Sequence, residues 1–225
     1  MKREILEQVL ADRAAKRTVV LATDLTTGAQ RLIRPGDSDP LQAEAEAAIR
    51  ADKSTTVETA AGQTFLNVFN PPLRMIIVGA VHIAQALAPM ARMTGYDVTI
   101  VDPRQAWATP ERFPDIRISD LWPDEAMAEL KPDHRTAIVT LTHDPKLDDP
   151  ALQYAVRCPA FYIGSLGSTR THAKRLQRLE TAGFTPAERE RINGPVGLNI
   201  GAKSPAEIAV SIMGQVTAAL RGAAA

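Results

Sequence analysis

The chain has 225 residues, 45% of them hydrophobic, and its 26 basic side chains balance 26 acidic ones. It is long enough to bury a substantial core, and it has no net charge to draw it to nucleic acid or an anionic membrane. Its single cysteine, Cys158, excludes an internal disulfide and fits a reducing compartment.

The opening MKREILEQVLADRAAKR is charged and lacks the apolar stretch of a signal peptide. No run approaches the ~18 apolar residues of a membrane helix, so the expected location is the cytoplasm. Residues 2–15 read as a helix, Thr18–Thr23 as a strand, Thr27-Gly28 as a turn and Gln30–Arg34 as a second strand. Residues 40–51, rich in Ala and Glu, read as a helix, and Thr64–Val68 as a last strand. Together, residues 1–70 make a small N-terminal α+β unit.

The pattern becomes regular after Pro71-Pro72, and residues 71–225 read as one Rossmann-like domain. Apolar runs at Met75–Val78, Val98–Val101, Ile116–Ile118, Ala137–Leu141 and Phe161–Ile163 alternate with helical segments at 82–94, 123–130, 148–157 and 169–182. Strands that are apolar throughout are covered on both sides, so the expected fold is α/β: a parallel sheet with helices on both faces. Pro89 lies inside the first of these helices and Gly95 ends it. Ser204, Pro205 and Glu207 form the capping-box signature of a long final helix.

Ligands of such sheets bind outside the carboxyl ends of the strands. The residues just past each strand therefore form the candidate site. They are Gly79 and His82 after the first strand, Asp102 and Arg104 after the second, His143 and Asp144 after the fourth, and Gly164, Ser165, Gly167, Ser168, Arg170 and His172 after the fifth. His134 falls at the opposite edge and carries no expected role. Cys158 also lies at the amino edge and reads as a small buried residue.

The first turn is an incomplete dinucleotide fingerprint. Gly79 and Ala84 fit, but Val81 stands where backbone must approach a pyrophosphate. Asp102 follows Gly79 by 23 positions (79 to 102), near the spacing of a ribose-binding carboxylate.

The turn GSLGSTR is the better anion site. It joins two glycines, a helix start with free N–H groups and the bidentate donor Arg170. Lys174 and Arg178 continue this face at helical spacing and read as a solvated surface. The three histidines of this edge sit on separate loops without helical metal spacing, so hydrogen bonding to an anion is expected rather than metal binding.

The segments GAVHIAQAL, VDPR, ATPERFPD, LTHDPKLDDPAL, YIGSLGSTRTHAKR and PVGLNIGAKSPAEIAVSI resemble the XdhC family, the accessory factors of xanthine dehydrogenase and related molybdenum hydroxylases. The resemblance covers about residues 65–220. It implies a chaperone rather than an enzyme. Such a protein binds molybdenum cofactor (molybdopterin or its dinucleotide form) transiently, assists its sulfuration, and passes it to a molybdenum hydroxylase apoenzyme. It also implies self-association and a cysteine desulfurase as a further partner. Two features depart from the family pattern: GAVH replaces the usual GAGH, and residues 1–70 hold no SGGC-type motif. Two other classes stay open on the residues alone, an NAD(P)-dependent oxidoreductase using the same crevice and a ligand-free adaptor.

Overall fold

The computed structural model describes residues 2–59 and 62–223. The chain divides into two compact units, Met1–Pro71 and Pro72–Ala225.

The first unit runs α1 (Arg3–Ala14), β1 (Val19–Asp24), β2 (Gln30–Ile33), α2 (Gln42–Ala51), β3 (Thr55–Thr59) and β4 (Gly62–Phe69). Its four strands form an antiparallel sheet in the order β2-β1-β4-β3. Alternation in β1 sends Val20 and Ala22 to one face, where they pack with Ile33, Leu66 and, from α2, Ala45. Asp24 ends β1 by accepting the backbone N–H groups of Thr26 and Thr27, and Gly28 supplies the positive φ of the turn. Asp12 of α1 is 2% exposed and binds both Arg17 and Arg34. Strand β3 is absent from the sequence expectations. Its stretch TTVET offers one strong apolar residue, and its pairing with β4 makes it a strand.

The second unit contains β5 (Leu73–Val78), α3 (His82–Met93), β6 (Tyr96–Val101), β7 (Arg117–Ser119), α4 (Pro123–Leu130), β8 (Thr136–Thr140), α5 (Pro145–Ala155), β9 (Tyr162–Ser165), α6 (Thr169–Thr181), α7 (Pro186–Glu190), β10 (Ile192–Asn193) and α8 (Pro205–Arg221). The six strands are all parallel, in the order β10-β9-β8-β5-β6-β7. The chain moves outward from β5 through β7, then crosses back to β8 and moves outward the other way. The reversal between β5 and β8 is the crevice where such sheets bind ligands.

Successive residues of β5 serve opposite faces. Met75 and Ile77 pack with Leu87 and Ala91 of α3 and with Ile212 and Val216 of α8. Ile76 and Val78 pack with Met127 of α4, Leu152 of α5 and Leu179 of α6. This double cover explains why the strands read as continuous apolar runs. Gly95, at φ 91°, follows α3 as its terminator, and the Ser204–Glu207 capping box opens α8. Among the described residues, no helix is long and apolar enough to cross a membrane.

Candidate functional site

Gly79 leaves β5 at φ 108°, and a Cβ there would lie 2.5 Å from Thr142 Cγ2. The glycine therefore lets the loops after β5 and β8 close on each other at the reversal point. His82 is the first residue of α3 and is exposed.

Asp102 departs from its expected role as a ligand-facing carboxylate. It is fully buried, and both oxygens are occupied: Ala80 N–H donates to Oδ2 at 2.8 Å, and Arg104 donates to both oxygens. Burial pushes this carboxyl up, but the hydrogen bonds outweigh it and hold it below the usual carboxylate range. Asp102 thus fixes Arg104, whose guanidinium also lies over the Trp107 ring.

The loop after β8 is built around Thr142. Its hydroxyl donates to Asp148 Oδ1 at 2.7 Å and accepts the Asp144 N–H at 3.0 Å. His143 between them takes φ 62°, a strained conformation for a side chain of this kind. Asp144 caps α5, its carboxylate accepting Lys146 N–H, with Pro145 at the first helical position. This Asp-Pro start, three residues before the expected one, is readable in the sequence.

Strand β9 runs two residues further than expected. Gly164 and Ser165 are in it and buried, not in the turn. A Cβ on Gly164 would press on Val196 and Tyr162, and Ser165 Oγ is bonded to Thr140 Oγ1. The turn therefore begins later, at half-buried Leu166, and becomes exposed at Ser168. Gly167 takes φ 142°, and Ser168 caps α6 through Thr171 N–H. Arg170 extends from the first turn of α6. His172 turns to the other side of this helix, its ring packed on Gly194 and its Nδ1 buried. Burial, and then the nearby positive Arg175, lower its basicity.

His143 and Arg170 meet in one cleft of about 500 Å³, shared with Asp148, Lys174, Arg175 and Arg178. Among the described residues, Arg170 and Lys174 have no acidic partner, whereas Arg178 is held by both oxygens of Asp149. Helical spacing alone assigns Lys174 and Arg178 to a solvated face. Both are exposed, as that reading has it, and they also line the cleft, because α5 stands opposite α6. A larger cavity, about 790 Å³, includes Cys158, Pro159 and Phe184 at the amino ends of the strands. Its Arg157 is bound to Glu188 and stacked on Phe184. Ligands of this sheet type bind at the carboxyl ends, so the smaller cationic cleft is the candidate site. Among the described residues, no three His, Cys, Asp or Glu side chains are grouped to hold a metal ion.

Residues 75–216 match the family model described as the XdhC Rossmann domain. The chain belongs to the XdhC family. Curated relatives of this XdhC chain include the molybdenum cofactor insertion chaperone PaoD of Escherichia coli (strain K12), 36% identical over 66% of the chain and 40% of the relative. Another is a probable xanthine dehydrogenase subunit of Bacillus subtilis (strain 168), 32% identical over 68% and 44%. The XdhC chain spans less than half the length of either. A crystal structure titled as a xanthine dehydrogenase from Bacillus halodurans shares the fold, with a TM-score of 0.72 at 24% identity over 98% of this chain and 67% of that one.

Proposed function

We propose that this XdhC-family chain is an accessory chaperone for a xanthine dehydrogenase-type molybdenum hydroxylase. In this reading it takes up molybdenum cofactor, assists its sulfuration with sulfur from a cysteine desulfurase, and delivers it to the apoenzyme. Family membership supports the accessory role, and one relative is itself named as a molybdenum cofactor insertion chaperone.

The observation that carries the cofactor-binding part is the cationic cleft beside the start of α6. Arg170 and Lys174, which have no acidic partner among the described residues, line it together with Thr171 of the first turn of α6, near the positive end of the helix. This donor set suits the phosphate of a molybdopterin. Arg104, held in place by Asp102, and His143 would orient the rest of the cargo. Arg170 would grip two phosphate oxygens at once, and Lys174 would add charge without fixed geometry.

The test is to purify the protein from a host that makes molybdopterin, denature it, oxidise the extract and measure pterin fluorescence. Near-stoichiometric pterin, lost in a folded Arg170→Ala variant, is the expected result. Absence of pterin from the wild type would overturn the reading, and a parallel titration with reduced nicotinamide would then decide for the dehydrogenase alternative.

A further inference from the structure

Arg175 is 1% exposed, the largest of the fully buried side chains. It shares a helix face with buried Leu179, four residues on, which places it under α6 rather than on the basic outer face. Its Nη2 donates to Leu166 O at 2.8 Å. Its Nε and Nη1 are buried and have no acceptor among the described residues. The acid beside it, Asp148, is also 1% exposed, but its Oδ2 stands 3.8 Å from Nη2, beyond hydrogen-bond length, and is itself unpaired. Asp148 Oδ1 is kept where it is by the Thr142 hydroxyl.

Two other acid–arginine pairs of this domain are closed. Asp102 and Arg104 meet at 2.8–2.9 Å, and Asp149 and Arg178 join at both oxygens. The Arg175–Asp148 pair is open, with three unmet polar atoms in two side chains that both line the cleft. Buried donors without acceptors are costly and rare in folded proteins, so these are groups awaiting an acceptor.

We propose that Arg175 forms the floor of an oxyanion subsite, that a phosphate monoester fills its two empty donors, and that Asp148 is a built-in counter-charge that weakens the grip. The inference rests on reading the cleft as the phosphate end of the cargo site. A phosphate oxygen supplies what Nε and Nη1 lack in the fork geometry that guanidinium prefers. Arg170 and Lys174 at the rim would meet its outer oxygens. Asp148 opposes the same dianion from beside Arg175. Burial raises the Asp148 carboxyl and lowers the Arg175 guanidinium, as an open pair allows. A protein that must surrender its cargo gains from a site whose affinity is held down in this way.

Calorimetry with inorganic phosphate on the full chain tests this without any pterin. Asp148→Asn keeps the shape and the Thr142 contacts but removes the opposing charge. It is expected to tighten phosphate binding by about tenfold. Arg175→Lys, which cannot offer the fork, is expected to weaken binding by a similar factor. In the wild type, the buried Arg175 Nε–H resonance is expected to shift with the calorimetric midpoint. This readout holds if a variant fails to fold.

Glycerol 3-phosphate is expected to compete with the free ion. A monoester that does not compete overturns the assignment to an esterified phosphate. No phosphate binding, unchanged affinity in folded Asp148→Asn, or a silent Arg175 resonance at saturation overturns the subsite. Phosphate binding with this pattern but without pterin retention would leave the subsite standing and remove the cofactor reading.

Discussion

Asp102 accepts three hydrogen bonds from the residue two positions after it. Arg104 donates its backbone N–H at 3.0 Å, its Nε at 2.9 Å and its Nη2 at 2.8 Å. An aspartate ending the second strand of a Rossmann sheet invites assignment to a ribose hydroxyl. Here its lone pairs are already committed, and it has become the mount for a cation at the mouth of the crevice.

This mount carries a pH signature. The folded Asp102 carboxyl lies below its ordinary 3.8. A depressed carboxyl stabilises the fold above its unfolded value, and that contribution is lost as pH falls below 3.8 through the folded value. Asp102→Asn is expected to cost about 2–3 kcal/mol at neutral pH, toward the low side for a buried pair because Arg104 reaches solvent. Its acid unfolding profile should be flatter than that of the wild type. Chemical denaturation at pH 7 and pH 3 measures both effects, and parallel losses in the two proteins would refute the assignment.

His172 gives the opposite window. Its folded imidazole is less basic than the ordinary 6.5, so the unfolded chain takes up the proton first. Stability is therefore expected to drop as pH falls through and below 6.5. His172→Met removes the titrating group from the packing against Gly194 and should reduce that slope. Thermal melts of both proteins across about pH 5.5–7.5 make the comparison.

Gly79→Ala forces a Cβ into Thr142 at φ 108°. Strain and overpacking together are expected to cost about 2–4 kcal/mol. A melting temperature lowered by roughly 5–10 °C is the corresponding observation. An unchanged melt would mean that the two loops are free to part.

The cations of the cleft are predicted to be unequal. Removing Arg170 or Lys174 takes away a charge with no acidic partner among the described residues, and each alanine variant should weaken phosphate binding by on the order of tenfold. Arg178 is already shared with Asp149, so Arg178→Ala should weaken it by only about two- to threefold. Equal losses at all three positions would show a diffuse electrostatic effect instead of a built site.

Much of the Rossmann unit can be read from the chain because its strands are covered twice. Runs such as MIIVG and AIVTL have no amphipathic alternation to confuse with a surface strand. Strand β10 cannot be read, since two residues become a strand only by lying beside β9. Helix α7 is legible in principle: Thr185, Pro186 and Glu188 carry the same start signal recognised at Ser204. At the site, strand order places His143 and Arg170 at one edge. It does not reveal that Asp102 turns inward or that Arg175 is buried, because each depends on which neighbour packs closest. Arg175 has one clue, its four-residue offset from Leu179.

The six-stranded sheet tapers at both sides, ending in β10 with two residues and β7 with three. An outer rim that short offers a foreign chain only a few unpaired backbone groups. For this sheet, extension from one copy into the next has little free backbone to build on. A rim of two and three residues leaves the helix-covered faces and the loops as the larger surfaces of this unit.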